Sequence, residues 1–263
     1  MLNIERNNKI IQLINERQSV SVNELIEIIG VSGVTIRKIL NDLDKKGLIR
    51  RTRGGAISLH VPIIEATEKE KERKNIKEKK EIASVAYDII SDHDTIFLDA
   101  GSTTLEIVRC IKNGNKRNIT VVTNAINIAN ELMICPDIEV IVAGGLLRHN
   151  IMSCVGGFTE NILENLNFDK VFIGANSVSS FAGVTTPNLL EAQVKRTTLK
   201  HSKKNILVCD SSKFGLTSMC KICMLDELDM VITDDALDTN EKNKLIASGV
   251  NLVCANSHFK TEE

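Results

Sequence analysis

The 263-residue sequence is short of aromatic side chains: it has no Trp, one Tyr and seven Phe, so aromatics make up 3% of the chain. Single strands and RNA loops are held largely by stacking bases on aromatic faces, and a chain this poor in them is not built for that task. Its core must be aliphatic, and hydrophobic residues at 43% supply enough material for one. No apolar run reaches 18 residues, and no apolar segment follows the first Met in the manner of a signal peptide. With seven irregularly spaced Cys, this predicts a soluble, cytoplasmic protein with reduced thiols and no membrane partner. Cys220 and Cys223 form one CxxC, but a zinc site needs a second ligand pair and none follows at finger spacing. No metal and no cofactor is expected.

The net charge of −1 hides an asymmetry. Residues 1–60 carry ten Lys and Arg against six Asp and Glu, whereas residues 82–263 carry sixteen against twenty-two. A basic end on an acidic body predicts a polyanion contact confined to that end.

Apolar spacing predicts three helices in this basic part: Ile4 to Gln18, a second one capped by Asn23 and ended by Gly30, and a third from a Ser32 cap to about Lys46. The inner face of the third is expected to hold Val34, Ile36, Ile39, Leu40 and Leu43, leaving Ser32, Thr35, Arg37, Lys38 and Asn41 outside. "LIRRTRGGAIS" has β-formers on both sides of Gly54-Gly55, which suits a hairpin. The sum is a winged helix-turn-helix. One helix side packs while the other faces the major groove, with Arg37 suited to a guanine edge and Asn41 to adenine. Ser32 and Thr35 sit near the helix N-terminus, which favours phosphate. Arg50, Arg51 and Arg53 would track the backbone, and Gly54-Gly55 would let the wing tip turn tightly close to DNA.

"EATEKEKERKNIKEKKE" then offers almost nothing to bury and is expected to be a solvated spacer or an exposed helix with i,i+4 ion pairs. Beyond it, the apolar strands "TIFLDA", "ITVVTN", "IEVIVAGG", "KVFIGAN", "NILVCD" and "DMVITDD" alternate with amphipathic segments. That alternation predicts a doubly wound, mostly parallel α/β sheet. The expected domains are residues 1–58 (winged helix-turn-helix), 59–75 (charged linker), 76–235 (α/β domain) and 236–263 (a helix and strand completing it). Ligands of such sheets bind outside the carboxyl ends of the strands. There stand Asp99, Gly101, Ser102, Thr103, Thr104, Thr123, Asn124, Gly144, Gly145, Asp210 and Lys213, with Glu191 and Lys195 on a following helix. The Gly101–Thr104 turn opens a helix and aims N–H groups and hydroxyls at one point, as an anion cradle does. Lys195 and Lys213 supply cations for a phosphate, and Asp99, Asn124, Glu191 and Asp210 acceptors for sugar hydroxyls. The structural alternative for each carboxylate is a cap or an ion pair, and for Glu191 with Lys195 an ordinary i,i+4 pair.

The sequence resembles the DeoR family of bacterial transcription regulators, first through "VSGVTIRKIL…KKGLIRRTRGGA", where Ser32, Thr35, Ile36, Arg37, Lys38, Leu40, Gly54, Gly55 and Ala56 match the family pattern. Ile39 stands where the family usually has Asp, and Arg53 where it usually has His. The likeness continues through "DTIFLDAGSTTLEI", "VVTNAINIANEL", "VIVAGGLLR", "FDKVFIGANSV", "GVTTPNLLEAQVKR" and "VCDSSKFG". It implies a sensor domain similar in fold to ribose-5-phosphate isomerase and glucosamine-6-phosphate deaminase, responding to a phosphorylated sugar or polyol. It also implies double-stranded operator DNA as partner, a homodimer or homotetramer, and most often repression. The alternative is a sugar-phosphate isomerase or deaminase fused to a DNA-binding module. Asp99, Glu191 and Lys195 could in principle serve isomerisation, but no His stands at a strand end, and sensing without turnover is the favoured expectation. A non-specific, salt-governed nucleic-acid binder is a third reading.

Overall fold

The computed structural model describes residues 3–17, 19–45, 48–52, 54–58 and 67–256. Its contacts divide the chain into two units, 1–64 and 65–263.

The first unit contains α1 (Asn3–Arg17), β1 (Ser19–Ser21), α2 (Val22–Ile29), α3 (Gly33–Lys45), β2 (Ile49–Thr52) and β3 (Gly55–Ser58). The strands form an antiparallel sheet in the order β1-β3-β2. Ile10, Ile14, Val20, Val22, Leu25, Ile36, Leu40, Leu43, Ile49 and Ala56 form its core. Helix α2 starts two residues earlier than expected: Ser21, not Asn23, is the cap, in a reciprocal capping box with Glu24 (3.2 Å and 2.7 Å). Hydrogen bonding from the Ser21 N–H, and then from its hydroxyl, holds the Glu24 carboxyl below its ordinary pKa. Gly30 ends α2 in the left-handed conformation, φ 74°, and its N–H reaches the carbonyl of Ile26. Ser32 caps α3, accepting from the Thr35 N–H at 3.3 Å.

Two expectations for this unit change. Val34 is 76% exposed, not part of the inner face. It precedes the buried Ile36 by two positions, about 200° around a helix of 3.6 residues per turn, so it faces away from the core. Ile39, where the family usually has Asp, is half-buried and packs against the core. The smallness of Gly55 serves the fold: the residue is buried, and a β-carbon there would collide with the Val20 carbonyl oxygen of β1. Its close approach is to a neighbouring strand.

In the second unit, α4 (Glu68–Arg73), α5 (Ile76–Ile89), β4 (Thr95–Leu98), α6 (Ser102–Asn113), β5 (Ile119–Thr123), α7 (Ile126–Leu132) and β6 (Ile138–Val142) come first. A hairpin, β7 (Leu146–Arg148) and β8 (Ser153–Val155), leads to α8 (Gly157–Glu164) and β9 (Lys170–Ile173). Then follow β10 (Ser177–Ser179), β11 (Gly183–Thr186), α9 (Leu189–Lys200), β12 (Asn205–Val208), β13 (Cys220–Cys223), β14 (Met230–Asp234), α10 (Thr239–Ala247) and β15 (Leu252–Ala255). Seven strands form one parallel sheet in the order β15-β14-β12-β9-β4-β5-β6. Six of them are the apolar strands read from the sequence, and β15 is the strand expected within 236–263 to complete the domain. Side-chain alternation feeds two cores: Phe97, Val171, Leu207 and Val231 point into one, and Ile96, Phe172, Ile206 and Ile232 into the other. The fold is therefore α/β and doubly wound, with a small antiparallel sheet, β10-β11-β13, added.

The charged stretch before this sheet is not all solvated spacer. Thr67 caps α4 in a capping box with Glu70. Glu68 is only 2% exposed, and Lys79 only 3%, with its ammonium donating to the carbonyls of Lys71 and Lys74 (2.5 Å for the latter). A buried lysine on α5 thus satisfies the carbonyl end of α4, where the helix carbonyls lack partners. The expected i,i+4 pairing survives at Lys77–Glu81, 3.8 Å apart, between an exposed lysine and a half-buried glutamate.

Candidate functional site

In the first unit the outer side of α3 presents Arg37, Lys38 and Asn41, all exposed, beside Val34 and the Ser32 cap. Thr35 is half-buried, its hydroxyl 2.9 Å from that of Ser32. Strand β2 is tied to this helix: the Arg51 guanidinium donates to Asn41 Oδ1 at 2.7 Å, and the Arg51 N–H to Asp44 Oδ1 at 3.0 Å. Asn41 and Arg51, expected as separate contacts, are thus partners. Arg53 and the side chain of Arg50 lie outside the described residues. Gly54 is exposed at the turn between β2 and β3.

In the second unit the strand order reverses between β4 and β9: the chain steps outward from β4 through β5 and β6, then returns to β9 on the other side. Such a reversal splays the connections apart and opens a crevice at the carboxyl ends. Asp99, just past β4, sits there at 2% exposure. Its Oδ2 accepts from Lys195 Nζ at 2.5 Å and from the Gly174 N–H at 3.1 Å, and Lys195 also donates to the Gly174 carbonyl at 2.8 Å. The lysine therefore pairs across the crevice with Asp99. The i,i+4 pair with Glu191 does not form. Glu191 is ion-paired with Arg148 of β7 instead, and its Oε2 lies 2.9 Å from the Thr186 hydroxyl.

The N-terminus of α6 opens beside Asp99, with Gly101 as its cap and Ser102 and Thr103 in the first turn, both buried. Thr104 and Thr123 are spent on the backbone. Thr104 Oγ1 lies 2.6 Å from the Asp99 carbonyl and 2.7 Å from that of Gly101, and Thr123 donates to the Leu98 carbonyl at 2.7 Å. These two hold the strand ends in place, and neither hydroxyl proton is left for a ligand. Gly144 and Gly145 follow β6, where Thr159 donates to the Gly144 carbonyl at 3.0 Å. Asp210, past β12, accepts from Asn75 Nδ2 at 2.8 Å and from the Ser212 N–H at 3.1 Å, with Lys213 Nζ 3.9 Å away. Burial pushes the Asp210 carboxyl up, but the Lys213 charge, the bonds from Ser212 and Asn75 and the Lys79 charge together hold it below its ordinary pKa.

Sequence reasoning missed Glu68, Asn75, Lys79, Arg148, Thr186 and Ser153 in this crevice. Only Asn75 carries a local signal, since Asn tolerates the left-handed conformation it adopts (φ 51°) before α5. Three buried atoms here have no partner among the described residues: Glu68 Oε1, Asn124 Oδ1 and Ser153 Oγ. Buried polar groups are rarely left unpaired unless water or a ligand meets them. The two thiols of the CxxC lie on strand β13, where residues three apart point to opposite faces. Burial pushes the Cys223 thiol up to about 12. Among the described residues no His, Cys, Asp and Glu cluster could hold a metal ion, and no helix is long and apolar enough to cross a membrane.

The profile of the DeoR-like helix-turn-helix domain matches residues 6–61, and that of the DeoR C-terminal sensor domain matches residues 74–235. The chain belongs to the DeoR family. This DeoR-family protein is 37% identical over 254 residues to the HTH-type transcriptional regulator GlpR of Haloferax volcanii, covering 96% of the present chain and 98% of that one. It is 34% identical to the lactose phosphotransferase system repressor of Staphylococcus epidermidis, covering 92% and 95% of the two chains. It is a DNA-binding transcription regulator with a sensor domain. A solved structure of ribose 5-phosphate isomerase A from Neisseria gonorrhoeae aligns with 53% of each chain at 18% identity and a TM-score of 0.38.

Proposed function

We propose that this DeoR-family chain represses a sugar or polyol catabolic operon, and that a phosphorylated sugar or polyol in the crevice of the second unit lowers its affinity for operator DNA. One observation carries the reading furthest: the buried Asp99–Lys195 pair and the α6 N-terminus meet at the β4/β9 switch point. Backbone N–H groups of Gly101, Ser102 and Thr103 receive the phosphoryl oxygens, and Lys213, a third exposed, faces the same anion. Asp99, Asn124, Glu191 and Asp210 hold hydroxyls. Lys195 acts on the ligand through Asp99, whose carboxylate it fixes.

On the DNA side, Arg37, Lys38 and Asn41 enter the major groove. Ser32 and Thr35 meet phosphate at the α3 N-terminus, and Arg50, Arg51, Arg53 and Gly54 follow the backbone at the wing. Asn41 reads a base only by sharing or releasing the Oδ1 that Arg51 occupies. Gly55 acts by fixing the wing against β1. A homodimer or homotetramer places two α3 helices on half-sites of one operator.

The crevice senses and does not turn its ligand over. A base for isomerisation must be free to take a proton, and of the carboxylates placed on the hydroxyls Asp99 is clamped by Lys195 and the Gly174 N–H, Glu191 by Arg148, and Asp210 by Asn75 and the Ser212 N–H. Gel-shift titrations on a cognate operator against a panel of phosphorylated sugars, with the unphosphorylated sugars as controls, test the reading. Release by one phosphorylated member is expected. Turnover of any member in a coupled assay, or release by the unphosphorylated sugars, overturns it.

A further inference from the structure

Helix α4 brings one residue into the crevice that neither spacing nor composition marks. Glu68 is the first residue of α4, its N–H donates to the Asn150 carbonyl at 2.8 Å, and α4 packs on α6. The carboxyl is 2% exposed and its Oε1 has no partner among the described residues. The charged groups that act on it are Lys71 and Glu72 of α4, Lys79 of α5 and Asp99 at the end of β4. Lys79 gives its own protons to the carbonyls of Lys71 and Lys74 and offers the carboxyl no ion pair. The carboxyl thus has one buried oxygen without a partner among the described residues, on a helix packed against α6 and within electrostatic reach of Asp99.

We propose that Glu68 is a binding residue of the effector site and meets the phosphoryl group as a neutral acid, donating its proton to a phosphoryl oxygen. The assignment rests on the effector reading of the crevice. A carboxylate could not approach a phosphate dianion, because both offer only acceptors, whereas the acid supplies the one donor the contact needs. The proton comes from solvent when the anion arrives. Burial pushes the Glu68 carboxyl up to about 7, so the neutral form is within reach at ordinary pH. The contact also joins the ligand to α4, whose first residue stands four positions beyond Ile64, the last residue of the DNA-binding unit.

The test uses the full chain and sulfate, a tetrahedral oxyanion that does not titrate between pH 6 and 8.5, with chloride at equal ionic strength as control. Thermal shift gives the apparent sulfate affinity. The wild type is expected to bind about tenfold more weakly at pH 8.5 than at pH 6, because a carboxyl that titrates near 7 has lost its proton. In Glu68→Gln the amide remains a donor, so affinity stays at the pH 6 level throughout. In Glu68→Ala it is weak throughout. Lys79 is unchanged in both variants, so a pH dependence that survives in Glu68→Gln belongs elsewhere and overturns the assignment. A wild type with pH-independent sulfate binding overturns it as well and leaves the crevice reading intact. A wild type that sulfate stabilises no more than chloride at either pH overturns both.

Discussion

The two units of this protein put their candidate functional side chains in opposite environments. On α3 of the first unit Arg37, Lys38 and Asn41 stand exposed on a helix held by the Ser32 cap and a ten-residue apolar core. At the switch point of the second, Asp99, Glu191, Lys195 and Asp210 are each less than a tenth exposed and already bonded to one another's neighbours. A surface meant to meet DNA needs charge that water can reach, because its affinity comes from displacing counterions and reading open groove edges. A crevice that tells one small ligand from another needs groups fixed before it arrives, because ordering them on binding would cost affinity. The first unit can therefore lose a functional side chain without losing its fold. The second cannot.

Lys195→Met probes that contrast hardest. It strands the Asp99 carboxylate in a dry site and should destabilise the second unit by about 3–5 kcal/mol, read as a lower urea midpoint. Adding Asp99→Asn should return much of the loss; an equal or larger loss in the double variant would mean the pair is not the source. The next effect is a pH dependence with a definite sign. The folded-state pKa of Glu68 is raised from 4.5 to about 7, so its share of stability is intact below 4.5 and is lost as pH rises through about 7. That is about 3 kcal/mol at pH 8. Glu68→Gln should match the wild type in urea at pH 4.5 and exceed it at pH 8. A variant equal to the wild type at pH 8 would show the carboxyl to be well solvated. Asp210 has the opposite sign: its lowered pKa gives stability present above the ordinary carboxylate range and lost as pH falls through the folded value.

The same contrast explains what could be read from the sequence. The seven parallel strands, the winged helix-turn-helix and the strand-end residues were legible, because each follows from a local period or from a polar residue closing an apolar run. Glu68 and Lys79 were not, since a charged stretch looks solvated until its neighbours are known, and these two are buried by α6 and by the end of α4. Arg148 was missed for a second reason. It reaches Glu191, 43 positions away, only because the β7–β8 hairpin folds back, and no period in the chain announces a hairpin of three-residue strands. Ser21 was passed over for Asn23 because both are good caps, and the choice was made by the three-residue spacing to Glu24.

Arg37→Ala should separate binding from folding in the first unit. Operator affinity falls by about 1–3 kcal/mol and base preference relaxes at one position, while the urea midpoint stays where it was. Equal weakening on all sequences would make Arg37 a phosphate contact.

The smallest effect tests the most surprising side chain on that surface. Val34 is 76% exposed, and its place around α3 sets it with Arg37 and Lys38, away from Ile36 and Leu40. An apolar side chain at the start of a helix that enters the major groove is suited to a thymine methyl, the one apolar feature a base edge offers there. Val34→Ser replaces the two methyls by one hydroxyl and removes that match. Stability should change by less than about 0.5 kcal/mol, since nothing buried is lost. Operator binding should weaken only for sequences with thymine beneath the first turn of α3, and gel shifts on thymine-to-uracil operators, which lack the methyl, should show the variant and the wild type alike. A stability loss as large as a core truncation would put Val34 back inside.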